Sequence, residues 1–319
     1  MEHERGLLSP GALPRRLWLW TLVTGMVLWA AVAVAIVLTE NTILAPNLIL
    51  LGTFLVPVCT VLFVLSRPRL ETHLTIQTIL LAFLAGGTAG VMLTGTVEVY
   101  VLPDAVLTNT VIGLIEESGK ALIVVAVAAL MQVRPRVPRD GMVLGAIVGA
   151  GFSAFESAGY ALGEMIVESP RHPVIRVLET QLFRAVLAPF GHITWSAILG
   201  GAIFASAWGT GRFAVDRRVV LAFAGVVALH AAWDAAYGFA IDISLWISGA
   251  PFTLRWPNTA AWAGEPTGAL LWRFQLVYDC MLVVLGVIGC AWALRCWRAY
   301  HVERWAQAHP RPMPAAAGA

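Results

Sequence analysis

Ile115-Glu116-Glu117-Ser118-Gly119-Lys120 lies inside an apolar run that begins near Ala105 and continues to Met131. As a helix, the run is long enough to cross a hydrocarbon core of about 30 Å. Charges inside such a helix cost roughly 2.5 to 3.5 kcal/mol for each Asp, Lys or Arg on insertion scales. A segment that only had to span the bilayer would carry Leu or Ala there. The two carboxylates and the ammonium therefore mark a default functional site, and the rest of the chain is read for their partners.

Outward from this stretch the apolar character recurs. Of 319 residues, 59% are hydrophobic and 13% charged, more apolar sequence than a soluble core needs. The expected fold class is all-α, a polytopic transmembrane helix bundle of about eight spans. These are Leu17–Leu38, Asn47–Leu65, Leu74–Thr96, Val106–Met131, Gly141–Gly163, Thr180–Trp208, Val219–Phe239 and Leu271–Leu294. Ala31-Val32-Ala33 resembles a signal-peptide cleavage site, but the long first apolar run reads as an uncleaved anchor. Cys59, Cys280, Cys290 and Cys296 lack metal-type spacing and read as buried thiols rather than a zinc-thiolate centre. Nothing forms a nucleic-acid patch, and the surroundings implied are the lipid bilayer.

Arginines set the expected orientation. Arg67 and Arg69, then Arg134, Arg136 and Arg139, then Arg212, Arg217 and Arg218, then Arg295, Arg298, Arg304 and Arg311 fall in alternate connections or the tail. The intervening loops hold Glu40, then Glu98 and Asp104, then only Arg171, Arg176 and Arg255. The positive-inside rule predicts both termini in the cytoplasm. Trp18, Trp20, Trp208, Trp297 and Trp305 form an expected inner belt and Trp256, Trp262 and Trp272 an outer one, with Trp29, Trp195 and Trp233 outside the pattern.

The spans contain further polar residues: Glu156, Arg184, His192, His230, Asp234 and Asp279. At a rise of about 1.5 Å per residue, Glu116 and Glu117 come out about 15 Å below the outer boundary and His192 about 18 Å. His230 comes out at about 13 Å, with Asp234 and Glu156 at about 8 Å. Four consecutive helices thus place polar groups in one layer between midplane and outer face. Glu116 and Lys120 are spaced i, i+4 on one helix face, as are His230 and Asp234. Gly141, Gly145 and Gly149 form a small-residue stripe that lets helices approach closely, so the fifth span is expected at the centre. Pro189 removes a helical hydrogen bond three residues before His192, and a kink there would aim His192 inward. Arg184 is placed to snorkel, to pair with Glu156 or to bind substrate, and Asp279 reads as half of an interhelical salt bridge.

Two His and a carboxylate around an open position is a catalytic zinc pattern, with another Glu to deprotonate water. His192, His230 and either Asp234 or Glu156 are the candidate metal ligands, for a divalent ion such as zinc. Glu116, Glu117, Lys120 and His192 are the candidate catalytic groups. Glu117 is the expected base, because Lys120 shares a face more nearly with Glu116. A metal-free version is also physical: a buried Glu beside a second Glu can take a proton from water while imidazoles stabilise the oxyanion. A proton-coupled transporter and a haem-binding subunit are the other classes such residues permit.

Here a resemblance becomes specific. Glu116-Glu117-Ser118-Gly119-Lys120 resembles the Glu-Glu-x-x-Lys motif of the PrsW family of intramembrane proteases, and Phe152-Ser153-Ala154-Phe155-Glu156 its Phe-x-x-x-Glu motif. Arg184 with Pro189-Phe190-Gly191-His192 resembles the histidine-bearing third region, and His230-Ala231-Ala232-Trp233-Asp234 the His-x-x-x-Asp fourth. The ordered set falls on four successive spans between Ile112 and Tyr237. The related CAAX prenyl endopeptidases typically have Arg in the first motif, His in the second and Asn in the last, so Lys120, Glu156 and Asp234 favour PrsW. The resemblance implies a membrane-embedded endopeptidase of the bacterial inner membrane acting on a membrane-anchored protein such as an anti-sigma factor. The implied division is a cytoplasmic segment over 1–16, N-terminal transmembrane hairpins over 17–104, and a catalytic core over 105–240. An outer loop with the last span covers 241–296, and a disordered cytoplasmic tail covers 297–319.

Overall fold

The structure, a computed structural model, describes residues 13–67, 70, 72–102, 108–166, 172–250 and 266–301. Among them all extended regular elements are helical. They are α1 (Leu17–Thr39), α2 (Ala45–Leu65), α3 (Ile76–Ala85), α4 (Val91–Val101), α5 (Thr108–Leu130), α6 (Pro138–Ile166), α7 (Pro173–Leu187), α8 (His192–Ser206), α9 (Arg217–Ile247) and α10 (Gly268–Ala299). Seven helical stretches are long and apolar enough to cross a membrane. The eighth expected span, Val106–Met131, corresponds to α5, whose 23 residues carry Glu116, Glu117 and Lys120 and so fall outside that set by composition. The protein is a multi-pass helical bundle. Arg69, Asp104, Arg171, Arg255, Trp256, Trp262, Arg304, Trp305 and Arg311, used above for orientation and belts, lie outside the described residues, as does most of the expected tail.

Two expected spans are not single α-helices. Leu74–Thr96 is interrupted by a π turn over Gly86–Gly90, which joins α3 to α4. A β-carbon at Gly86 would strike the carbonyl of Val148, and one at Gly87 the ring of Phe155, so the turn lies directly against α6. The sixth span breaks outright rather than kinking: α7 stops at Leu187 and α8 starts at His192. Pro189 has no N–H to continue the ladder, and Gly191 takes a non-helical conformation (φ −97°, ψ −120°). The hydroxyl of Thr194 donates to the Pro189 carbonyl at 2.6 Å, satisfying an oxygen left over by the break. At the other end α9 runs on to Ile247, so Ile241 and Asp242, expected in the outer connection, are buried helical residues. Trp297–Ala299, expected in the tail, belong to α10.

The bundle is organised around α6, which packs on α8, α2, α3, α7, α5 and the π turn. Its glycine stripe explains the closeness. A β-carbon at Gly141, Gly145 or Gly149 would collide with the carbonyl of Gly200, Ser196 or His192 on α8, and one at Gly151 with that of Phe83 on α3. Backbones meet backbones there, as small residues permit in helix pairs within lipid. We expect Gly145→Val to destabilise the protein by about 1–3 kcal/mol through overpacking. Gly159→Ala, where an added carbon meets nothing within 4 Å, should melt at or above the wild-type temperature. Thermal unfolding in detergent checks both, and equal melting of the two variants would contradict the packing argument.

The helices around α6 divide by what they face. Helix α8 is buried along almost its whole length. Helices α1 and α10 instead expose Met26, Val37, Leu276 and Val283 outward, as lipid-facing helices do. Buried Gln181 on α7 ties the N-terminal hairpin to this frame. Its amide donates to the carbonyls of Leu48 (3.0 Å) and Ile49 (3.3 Å) and accepts from the indole of Trp29 at 2.7 Å. Trp29 departs from the interfacial belt because its N–H finds an internal partner.

Candidate active site

Five successive helices bring charged or imidazole side chains to one cavity of about 380 Å³. α5 brings Glu116, α6 Glu156, α7 and α8 Arg184 and His192, and α9 His230 and Asp234. The break at Pro189 makes His192 the first residue of α8, so its side chain is set by a helix start fixed against α6. The residues singled out in the sequence, apart from Asp279, are within one network. Asp279 instead accepts from Gln275, one turn earlier on its own helix, at 2.8 Å.

Lys120 is the hub of that network. Its ammonium is completely buried and lies 2.7 Å from Glu117 Oε1, 3.2 Å from Glu116 Oε2 and 2.8 Å from His192 Nδ1. Three N–H donors meet three acceptors, with the Phe152 ring face 4.2 Å away as a fourth contact. An ammonium cannot accept a hydrogen bond, so His192 Nδ1 carries the lone pair and Nε2 the proton. That Nε2–H donates to Glu156 Oε2 at 3.1 Å. Glu156 is also paired with Arg184, whose Nε donates to Ser157 Oγ at 2.7 Å and whose guanidinium covers the Tyr160 ring.

His230 is aimed by Glu117. Its Nδ1 lies 3.0 Å from Glu117 Oε1, and an ionised carboxylate only accepts. With Nδ1–H bonded there, the Nε2 lone pair of a neutral His230 turns to the cavity, 3.7 Å from Glu116 Oε2 and 3.4 Å from Asp234 Oδ2. Trp195 supports both imidazoles, its ring centre 4.9 Å from that of His230 and 5.5 Å from that of His192. Trp195 and Trp233, both outside the belts, are accounted for here: they pack edge to face beside the histidines, 5.7 Å apart.

The two adjacent glutamates take opposite positions from those expected. Glu117 is fully buried, bonded to Lys120 and His230, and does not line the cavity. Glu116 does line it and is held less tightly by Lys120. The helical i, i+4 relation to Glu116 is real, but the i, i+3 contact to Glu117 is the shorter one.

The donor set fits a metal ion. Ligand atoms of Glu116, His192 and His230 lie within 4.8 Å of one another. Glu116 Oε2 stands 3.7 Å from His230 Nε2 and 3.8 Å from His192 Nδ1. Donors around a tetrahedral ion at about 2.0–2.2 Å are roughly 3.4 Å apart, so small inward movements suffice. Glu117 behind His230 is the carboxylate support that metal-bound imidazoles usually have. At His192 the ion and the Lys120 ammonium would share one lone pair, so Lys120 has to turn fully to the carboxylates when that nitrogen binds. Of the expected ligands, Asp234 touches His230 from the side and Glu156 is taken up by Arg184.

The apolar pattern predicts Glu98 in a loop, yet it sits on α4 and lines the cavity. Val97, Val99 and Val101 continue the apolar run past Thr96 and were the available signal.

Comparison with known proteins adds the remaining observation. No curated protein and no solved structure matches the chain. A family model described as PrsW family intramembrane metalloprotease matches residues 46–257, which takes in α2 through α9 and with them every acidic, histidine and arginine residue that lines the cavity. The chain belongs to the PrsW family of intramembrane metalloproteases.

Proposed function

We propose that this membrane protease hydrolyses a peptide bond in a membrane-anchored protein, an anti-sigma factor being the substrate type the family resemblance implies, with Glu116 activating the water. The observation that carries this reading is the convergence of Glu116 with His192 and His230 at the wall of a polar cavity among membrane-spanning helices. Among the described residues the polar contacts of Glu116 run through Oε2, which leaves Oε1 for a water molecule. Glu116 takes the water proton as the nucleophile attacks the carbonyl carbon and returns it to the leaving amine. Lys120 holds Glu116 in place, and Glu117 and Asp234 hold His230. Arg184, at the rim beside Glu156, binds the substrate backbone.

Glu116, His192 and His230 would hold a divalent metal, and a bound zinc would supply Lewis acidity to the water and the scissile carbonyl. Glu116 would then have two roles, one oxygen available to the metal and the other to accept the water proton. The alternating arginines support a bacterial inner-membrane orientation with cytoplasmic termini and the cavity toward the outer face.

The test is purified protein in detergent or proteoliposomes, with cleavage of membrane-anchored fragments and bound metal both measured. We expect about one zinc per chain in the wild type and a loss of most of it in His230→Ala, because losing even a group that only orients a ligand weakens binding by about 10-fold to 100-fold, and here the imidazole itself is removed. Wild-type protein that cuts no fragment would sink the proteolytic reading, and unaltered metal content in His230→Ala would sink its role as ligand.

A further inference from the structure

We infer that Glu98 selects substrates carrying a lysine or arginine side chain close to the scissile bond. The inference rests on the proteolytic reading above and adds a specificity residue to it. Helices α4 and α5 pack side by side, and a β-carbon at Gly119 would crowd the methyl of Thr94, 2.7 Å away. One turn further along this antiparallel pair, Glu98 comes opposite Glu116, and both line the catalytic cavity.

The other carboxylates of this region have partners on the protein. Glu116 and Glu117 share Lys120, Glu156 has Arg184, and Asp234 has His230. Glu98 has neither an ion pair nor a hydrogen bond among the described residues, and its Oε1 is buried. A half-buried carboxylate with one oxygen buried and unpaired, facing a second carboxylate, is costly, and a neutral side chain would relieve that cost. None of the described residues supplies Glu98 with a cation, and a lysine or arginine entering the cavity would.

The route by which a chain would enter passes the same residue. A groove of about 500 Å³ lies between α4 and α6 and shares Glu98, Glu116, Glu156 and Tyr160 with the catalytic cavity. Gly95, Gly159 and Gly163 line it, and a β-carbon at each would meet nothing within 4 Å. Unlike Gly145 or Gly151, these glycines are not required by a neighbouring backbone. They keep the groove wide enough for an extended segment to lie close to the helices. Glu98 thus stands where groove and cavity join. Neighbouring helix axes are about 8–10 Å apart, which an extended chain covers in roughly three residues. The selected cation therefore belongs within about three residues of the scissile bond.

The experiment uses the full-length protein in proteoliposomes with membrane-anchored peptides that differ only by Lys, Gln or Glu at single positions within three residues of the cleaved bond. At one position the wild type should favour Lys in kcat/KM by roughly tenfold or more, the effect of one charge-assisted hydrogen bond. Glu98→Gln should bring that ratio close to one, and Glu98→Lys should invert it in favour of a Glu peptide. Should the charge reversal fail to fold, the near-isosteric glutamine variant decides alone. A wild type indifferent to Lys at every position, or an unchanged ratio in Glu98→Gln, overturns the assignment while leaving proteolysis intact. A wild type that cuts no peptide, like a Glu116→Gln blank, overturns the proteolytic reading and this assignment with it.

Discussion

Glu116→Gln is expected to yield a folded protein whose proteolysis falls by about 10²–10⁴-fold, the usual contribution of a positioned general base. Glutamine keeps the size and one carbonyl acceptor for Lys120, so the network that places α5 against α8 and α9 survives. What disappears is the basic oxygen facing the cavity. Glu117→Gln should cost less, about 10–100-fold, as loss of an orienting group behind an imidazole does. The reason is positional: Glu117 is fully buried, does not line the cavity, and reaches the chemistry only through His230 Nδ1 and Lys120. Cleavage of a membrane-anchored fragment under single-turnover conditions would separate the two. Equal residual activities, or a larger loss in Glu117→Gln, would reverse the assignment of roles made from the geometry.

How far the sequence reaches is clear from that same pair. Periodicity and charge place the glutamates on a membrane helix, and the depths of His192, His230 and Glu156 put them in one layer. The contacts between those side chains agree with that layer. Choosing between adjacent glutamates, however, depends on helix rotation, since each residue turns the face by about 100°. A lysine three or four residues on can reach either, and the packing of α5 on α9 chooses Glu117.

The breaks were harder to read for a different reason. Proline signals lost hydrogen bonding but not whether the chain bends or stops. Gly191 and the Thr194 bond to the Pro189 carbonyl turn a kink into a fresh helix start. The π turn at Gly86–Gly90 has no local signal beyond its glycines, because its cause is the approach of α6. A charge at the end of an apolar run reads as the beginning of a loop, and at Glu98 only the neighbouring helices show that it faces inward.

Lys120→Met should be the most destabilising single substitution in the site, by about 3–5 kcal/mol, the typical effect of removing one partner from a buried ion pair. The methionine fits the same channel beside Phe152 but supplies none of the three hydrogen bonds. Glu117 suffers most, because it has no exposure to water and its Oε2 is already without a partner. The double variant Lys120→Met with Glu117→Gln should therefore recover part of the lost stability, since an uncharged amide is far less costly to bury than a lone carboxylate. Two such variants share one network, so their effects are not additive, and the sign of the coupling is the informative quantity. Thermal unfolding of the four proteins in one detergent measures it. Recovery of stability without recovery of cleavage would separate the two duties of Lys120, balancing buried charge and holding Glu116 in position. A Lys120→Met protein that melts within about 0.5 kcal/mol of the wild type would show that the ammonium does not balance these carboxylates at all.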